Sequence, residues 1–174
     1  MSLPEPRKFW CLISMASRSK RLALPDSYGR FHSDIAIMPA AFDDLYIGQS
    51  VSIGAGVISE DELAAFCKSY APSWDVNDGV PDALLFALWS KLETEAASHW
   101  PQTKRLAVDA LRWSRNPPPG ELLRGRLTVM GKDAVGDTKG VVIAQNDVLD
   151  EAGRLVFSCL TRSVFQRLPK APID

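Results

Sequence analysis

The sequence predicts an α+β domain in which one long apolar helix lies against a strongly curved antiparallel sheet. Three observations carry that expectation: a helix start signal at Ser59–Glu62, an apolar run of helix formers after Pro81, and a change to period-two patterning beyond Pro101.

Residues 1–40 contain prolines at 4, 6, 25 and 39 and no sustained helical or strand period, so an irregular arm is expected there. From Leu45 to Val57 the run LYIGQSVSIGAGV alternates small or apolar with polar residues, and its glycines suit a bent or bulged strand. Ser59 and Glu62 form an S-x-x-E capping box, in which hydroxyl and carboxylate each satisfy an orphan backbone N–H. A helix therefore starts at Glu60. Leu63, Phe66, Cys67 and Tyr70 give it one apolar face, and Pro72 ends the run. Cys67 reads as a packed core thiol, because a reactive thiol needs a cationic neighbour and none is in view.

The stretch PSWDVNDGVP, residues 72–81, is turn chemistry, and Pro81 suits the first position of a second helix. Ala83 through Leu92 make that helix apolar nearly all round, which implies burial on most sides; Glu93 and Glu95 bring its later turns towards water. Four strands are expected after it. Leu106, Val108, Ala110 and Arg112 share one face of the first, Leu122–Val129 alternate on the second, Val141–Asn146 on the third, and Leu155–Leu160 on the fourth, with Val164 and Phe165 closing the run. The connections NPPPG (116–120), 131–139 and DEAG (150–153) are short enough to join adjacent antiparallel strands, and Gly54, Gly56 and Gly125 permit the sheet to bend.

Composition narrows the partners. With 20 Lys+Arg against 21 Asp+Glu in 174 residues the net charge is −1, so no global field draws in nucleic acid or an anionic membrane. Cys11, Cys67 and Cys159 are odd in number and widely spaced, with His32 and His99 as the only imidazoles; this excludes a disulfide framework and a zinc site as expectations and fits a cytoplasmic protein. Phe9–Met15 is apolar behind Arg7 and Lys8, but it is short for an export signal and runs into Arg18, Lys20 and Arg21. No run approaches the roughly 20 apolar residues of a membrane helix.

Six segments occur in a telling order: FDDLYIGQ at 42–49, ISEDELAAFCKSYAP at 58–72, the apolar helix from Pro81, VDALRW at 108–113, PPGELLRGRLTV at 118–129, and VLDEAGRLVFSCLTRSVFQR at 148–167. Over residues 42–168 this order resembles the MaoC-like acyl dehydratases, the family that includes (R)-specific enoyl-CoA hydratases. The resemblance implies a hot-dog fold, in which a curved antiparallel sheet wraps one central helix, with an N-terminal arm at 1–40, the hot-dog domain at 41–169 and a tail at 170–174. It also implies an acyl-CoA-type thioester ligand, a role in fatty acid metabolism, no cofactor, and a homodimer or a heterodimer with a catalytic relative.

In that family the short helix ends in an Asp, and a His follows five residues later. The pair activates one water for addition to an enoyl thioester, while a backbone N–H at the long helix's N-terminus polarises the carbonyl. The matching positions here are Ala71 and Val76, and the segment that follows is shortened to Val76–Gly79. The resemblance therefore implies an acyl-binding protein lacking the usual proton-transfer pair. The alternatives are a hydratase using relocated carboxylates, with Asp75 and Asp82 as catalytic candidates, and an acyl-CoA thioesterase. Asp75, Asp78 and Asp82 equally suit capping and the helix dipole. Ser73, Trp74, Asn77, Ala83 and Arg112 are the substrate-binding candidates, and no metal ligands are expected. His32 lies in the unpatterned arm and His99 at the far end of the helix, while Trp89 and Trp113 read as core or interface aromatics.

Overall fold

The computed structural model describes residues 41–167; the arm, His32, Cys11 and the tail lie outside the described residues. A 3-10 turn at Phe42–Asp44 leads into β1 (Ser50–Gly56) and α1 (Glu60–Tyr70). A second 3-10 turn at Val76–Asp78 precedes α2 (Asp82–Ala97), and β2 (Gln102–Trp113), β3 (Leu123–Val135), β4 (Lys139–Leu149) and β5 (Leu155–Gln166) follow. The strands form one antiparallel sheet in the order β1-β3-β4-β5-β2, so β1 and β2 are its edges.

The capping box forms as its residues require. Glu62 N–H donates to Ser59 Oγ at 3.2 Å, and Ser59 N–H donates to Glu62 Oε2 at 2.8 Å. The Ser59 N–H and the Ser59 hydroxyl, the latter at 3.0 Å, both donate to the Glu62 carboxylate and, with help from Lys91, hold it below its ordinary pKa. Leu63 and Cys67 are buried beneath α1, as the periodicity predicts, whereas Tyr70 is 79 % exposed.

Alternation decides which face of the sheet meets α2. Leu123, Leu127 and Val129 on β3, Val142, Ala144 and Val148 on β4, and Phe157, Cys159 and Phe165 on β5 are buried in one cluster with Leu85, Leu88, Trp89 and Leu92 of α2. Each large side chain so enclosed contributes about 1.5–3 kcal/mol. Gly125 continues the buried row of β3 at a close crossing, where a Cβ would stand 2.4 Å from Ile53 Cγ1. Gly54, at φ +100°, follows the register shift in β1, so the bent strand is present.

Five expectations are corrected. The first strand is shorter than the patterned run, because Ile47 and Gly48 form a turn, and the strand itself is Ser50–Gly56. Pro81 precedes α2 as its N-cap, which begins at Asp82. On α2 the buried residues are Leu85, Leu88, Trp89, Leu92 and Glu93, a single stripe, while Ala83 and Ala87 are exposed; a run of apolar residues cannot reveal that its small members face outwards. On β2, register shifts between Arg105 and Ala107 and between Asp109 and Arg112 break the period, with Ala110 at φ +50°. Leu106 is consequently exposed, and Arg105 turns inward to Glu93. Finally, the NPPPG connection does not join neighbours: β2 pairs with β5, while β3 pairs with β1 and β4. The hairpins β3-β4 and β4-β5 are adjacent as expected, although the first is longer and turns at Gly136.

Candidate functional site

The corner that precedes α2 is built from turns locked by side chains. Ala71 ends α1, and Trp74 N–H donates back to its carbonyl at 3.0 Å. Asp75 caps the 3-10 turn, its Oδ1 accepting from the Asn77 backbone N–H at 2.9 Å and from Asn77 Nδ2 at 2.8 Å. Trp74 Nε1 then donates to the Gly79 carbonyl at 3.0 Å. Gly79 has φ +87°, and a Cβ there would meet the Asn116 and Pro117 carbonyl oxygens at 2.8 Å, so two loops touch through a residue without a side chain.

The second loop holds the helix start. Val80 N–H donates to the Pro117 carbonyl at 2.8 Å. Asn116 Nδ2 donates to the Val80 carbonyl at 2.8 Å and to Asp82 Oδ1 at 3.2 Å, while Trp113 Nε1 donates to the Asp82 carbonyl at 3.1 Å. The N-cap Pro81 gives the first turn of α2 no side-chain hydrogen bond, and Asp82 and Ala83 are exposed there. The turn thus presents backbone donors at the positive end of the helix dipole, an arrangement able to receive a carbonyl oxygen or an anion.

Two open grooves flank α1. One, of about 470 Å³, runs between α1, the 3-10 turn and the proline loop, past Leu63, Val76, Asn77 and Pro118. The other, of about 340 Å³, separates α1 from α2; Phe66, Leu84, Ala87 and Leu88 line it, with Glu62 and Lys91 also on its wall.

Beneath α2 lies a buried polar group of a different kind. Glu93 pairs with Arg105 and accepts from Gln102 Nε2 at 3.2 Å, and the Arg105 guanidinium stands 5.0 Å from the Trp89 ring centroid. Burial pulls the pKa of Arg105 down from its usual range, partly offset by Cys159. Burial also pushes the Cys159 thiol up to about 12, against a smaller lowering by Arg105, so this sulfur is not a nucleophile at neutral pH. Near the 114–122 loop, Asp150 accepts from Arg154 N at 2.8 Å, Arg154 Nε at 2.8 Å and Arg115 Nη2 at 2.9 Å. Burial alone would raise this carboxyl, but those bonds outweigh it and hold its pKa at about 2.

Of the residues singled out in the sequence, Trp74, Asp75 and Asn77 share the turn before α2, and Asp82 and Ala83 open the helix. Ser73 is exposed on the same connection, and Arg112 is exposed at the end of β2 beside Trp113. Ala71 and Val76 bracket the turn with apolar side chains. His99 is exposed just past the opposite end of α2. Asn116 is the site residue that sequence reasoning missed; its only signal was Asn before a proline run, which marks a turn but not a long-range donor. Among the described residues no group of three His, Cys, Asp or Glu side chains could hold a metal, and no helix is long and apolar enough to cross a membrane.

No protein-family model and no curated protein matches the chain. Solved structures match it in three dimensions. A MaoC-like dehydratase from Rhodospirillum rubrum superposes with a TM-score of 0.66 at 17% identity, covering 75% of this chain and 99% of its own. A conserved hypothetical protein from Mycobacterium tuberculosis with a double hot-dog fold gives 0.60 at 21% identity, covering 79% of this chain and 47% of that one. An R-hydratase from Pseudomonas aeruginosa gives 0.51 at 19% identity, over 77% and 96%. The chain has the hot-dog fold.

Proposed function

We propose that this hot-dog chain is a MaoC-like protein that binds an acyl-CoA-type thioester at the leading end of α2 and lacks normal hydratase activity. The observation that supports the reading is the exposed first turn of α2, whose N-cap Pro81 offers no side-chain hydrogen bond, following a connection in which Ala71 and Val76 stand where the resemblance implies the family's Asp and His. A thioester carbonyl placed against the backbone N–H groups of Asp82 or Ala83 gains electrostatic stabilisation without any side chain. Hydration needs a second part, a base that removes a proton from water. The two candidate carboxylates already have partners: Asp75 is tied to Asn77, and Asp82 to Asn116. Those bonds support capping and loop-holding roles for Asp75 and Asp82. Ser73, Trp74, Asn77, Ala83 and Arg112 then shape or line the ligand's approach.

Isothermal titration with acyl-CoAs, paired with incubation with crotonyl-CoA, tests the reading. Binding heat without loss of the enoyl absorbance is the expected result. Hydration that disappears in Asp75→Asn or Asp82→Asn replaces it with the hydratase alternative, and release of free thiol replaces it with a thioesterase. Silence across all acyl-CoAs removes the acyl-thioester reading altogether.

We also propose that β2 is the pairing edge for a second protomer, either a copy of this chain or a catalytic relative. Its twelve residues form one border of the sheet, and Leu106 and Trp113 are exposed along it.

A further inference from the structure

The corner before α2 carries a charge that the chain as a whole does not. Residues 58–82 hold six acids, Glu60, Asp61, Glu62, Asp75, Asp78 and Asp82, against one base, Lys68, although the whole chain sums to −1. Among the described residues none of Glu60, Asp61, Asp75, Asp78 and Asp82 forms an ion pair. Arg115, the base of the proline loop, is already committed to Glu121 and Asp150.

The groove of about 470 Å³ between α1, the 3-10 turn and the proline loop runs among these acids. Glu60 lines one wall, next to Asp61 in the first turn of α1; Val76, Asn77 and Gly79 line the other, on either side of Asp78 and just past Asp75. The rest of the lining is apolar, from Leu63, Ala64, Pro118 and Pro119, and Val76 leaves 47 % of its surface open. Among the described residues Glu60 is the only charged side chain on the lining itself. The walls are tied together rather than free to close. Gly120 N–H donates to the Ile58 carbonyl at 2.8 Å just ahead of α1, and Val80 N–H donates to the Pro117 carbonyl at 2.8 Å just past the turn. A groove held open in this way needs little reordering when it is filled, and its volume lies within the range of about 300–1,000 Å³ usual for ligand pockets.

We propose that this groove docks a peptide segment of a partner protein in which one or two apolar side chains are flanked by Lys or Arg. The apolar side chains leave water against Ala64, Val76 and Pro118, while the cations on either side meet Glu60 and Asp61 on one wall and Asp75 and Asp78 on the other. Because acids stand on both walls, the ligand carries its cations on two sides of an apolar part, which a peptide supplies residue by residue. A polyanion is repelled from the same place. The proposal is independent of the thioester reading, which concerns the backbone of the first turn of α2, and the failure of either leaves the other standing.

Fluorescence anisotropy with three labelled pools of dodecapeptides tests it on the full chain: Leu, Ile or Phe at two central positions flanked by Lys or Arg, the same centres flanked by Glu, and the basic flanks around central Ser. The basic apolar pool should bind at least about tenfold tighter than the acidic one, and its binding should weaken at high salt. Glu60→Gln, Asp61→Asn and Asp78→Asn should each weaken it by about two- to fivefold. Ala64→Arg, which fills the groove and adds a cation, should abolish it, whereas Glu95→Gln near the other end of α2 should leave it unchanged. All five positions are exposed, so the variants should keep the parent's thermal melt. No binding of the basic apolar pool overturns the proposal. Equal binding of the Ser-centred pool overturns it too, since charge alone would then suffice, and so does binding that Ala64→Arg leaves intact or that Glu95→Gln weakens as much as Asp78→Asn.

Discussion

Glu93 sits on the buried stripe of α2, satisfied by Arg105 and Gln102. In the sequence it reads as the point where the helix emerges into water, because nothing local announces that a strand residue twelve positions later will turn inward to meet it. Arg105→Met leaves the carboxylate buried without its cation and should cost about 3–5 kcal/mol in urea unfolding. The double variant Glu93→Leu/Arg105→Met, which removes both charges, should recover most of that loss; a double variant as unstable as the single one would show that packing of the Arg105 stem on Trp89 dominates. Asp150 makes a pH prediction of definite sign. Its folded pKa of about 2 lies below the ordinary Asp value, so its contribution is complete above about pH 4 and fades as the pH falls towards 2. Asp150→Asn should therefore be less stable than the parent at pH 7 and should lose less stability between pH 4 and 2, measured by thermal melts across that range.

At the scale of elements, legibility follows the range of the interaction. The α1 start was readable because Ser59 and Glu62 are three residues apart and form their bonds with each other's backbone. Ser59→Ala should cost about 1 kcal/mol and reduce helicity without altering the sheet. The interior of β2 was not readable, since three register shifts against β5 set which side chains point inward. Ala110 pays for the last shift with φ +50°, a conformation that favours glycine. Ala110→Gly should consequently be neutral or stabilising by up to about 1 kcal/mol, despite glycine's ordinary cost in strands. A loss above that size would mean that the methyl group packs against a neighbour. Of the candidate site, the turn residues 73–79 and the helix start were legible from Asp, Asn, Gly and Pro chemistry. Asn116 and Trp113 were not, because their bonds to Asp82 span 34 and 31 positions.

For the whole molecule, the sheet order leaves β1 and β2 as borders, and the longer of them carries exposed Leu106 and Trp113. Light scattering at micromolar concentration should give a dimer, either of the chain alone or after mixing with a catalytic relative; Leu106→Lys should weaken it by placing a charge on the pairing edge. A strict monomer under both conditions would remove the proposed role of β2.

By itself the sequence determined the α+β class, the two helices, the alternation along β3, β4 and β5 and the turn before α2. These follow from short-range periods, caps and turn residues that any such chain must obey. Only the tertiary structure decided that β2 closes the sheet beside β5, that the small residues of α2 face outwards, and that Arg105 reaches Glu93 behind Trp89. Such outcomes depend on which distant surfaces meet, and burial compels a polar partner only after they have met.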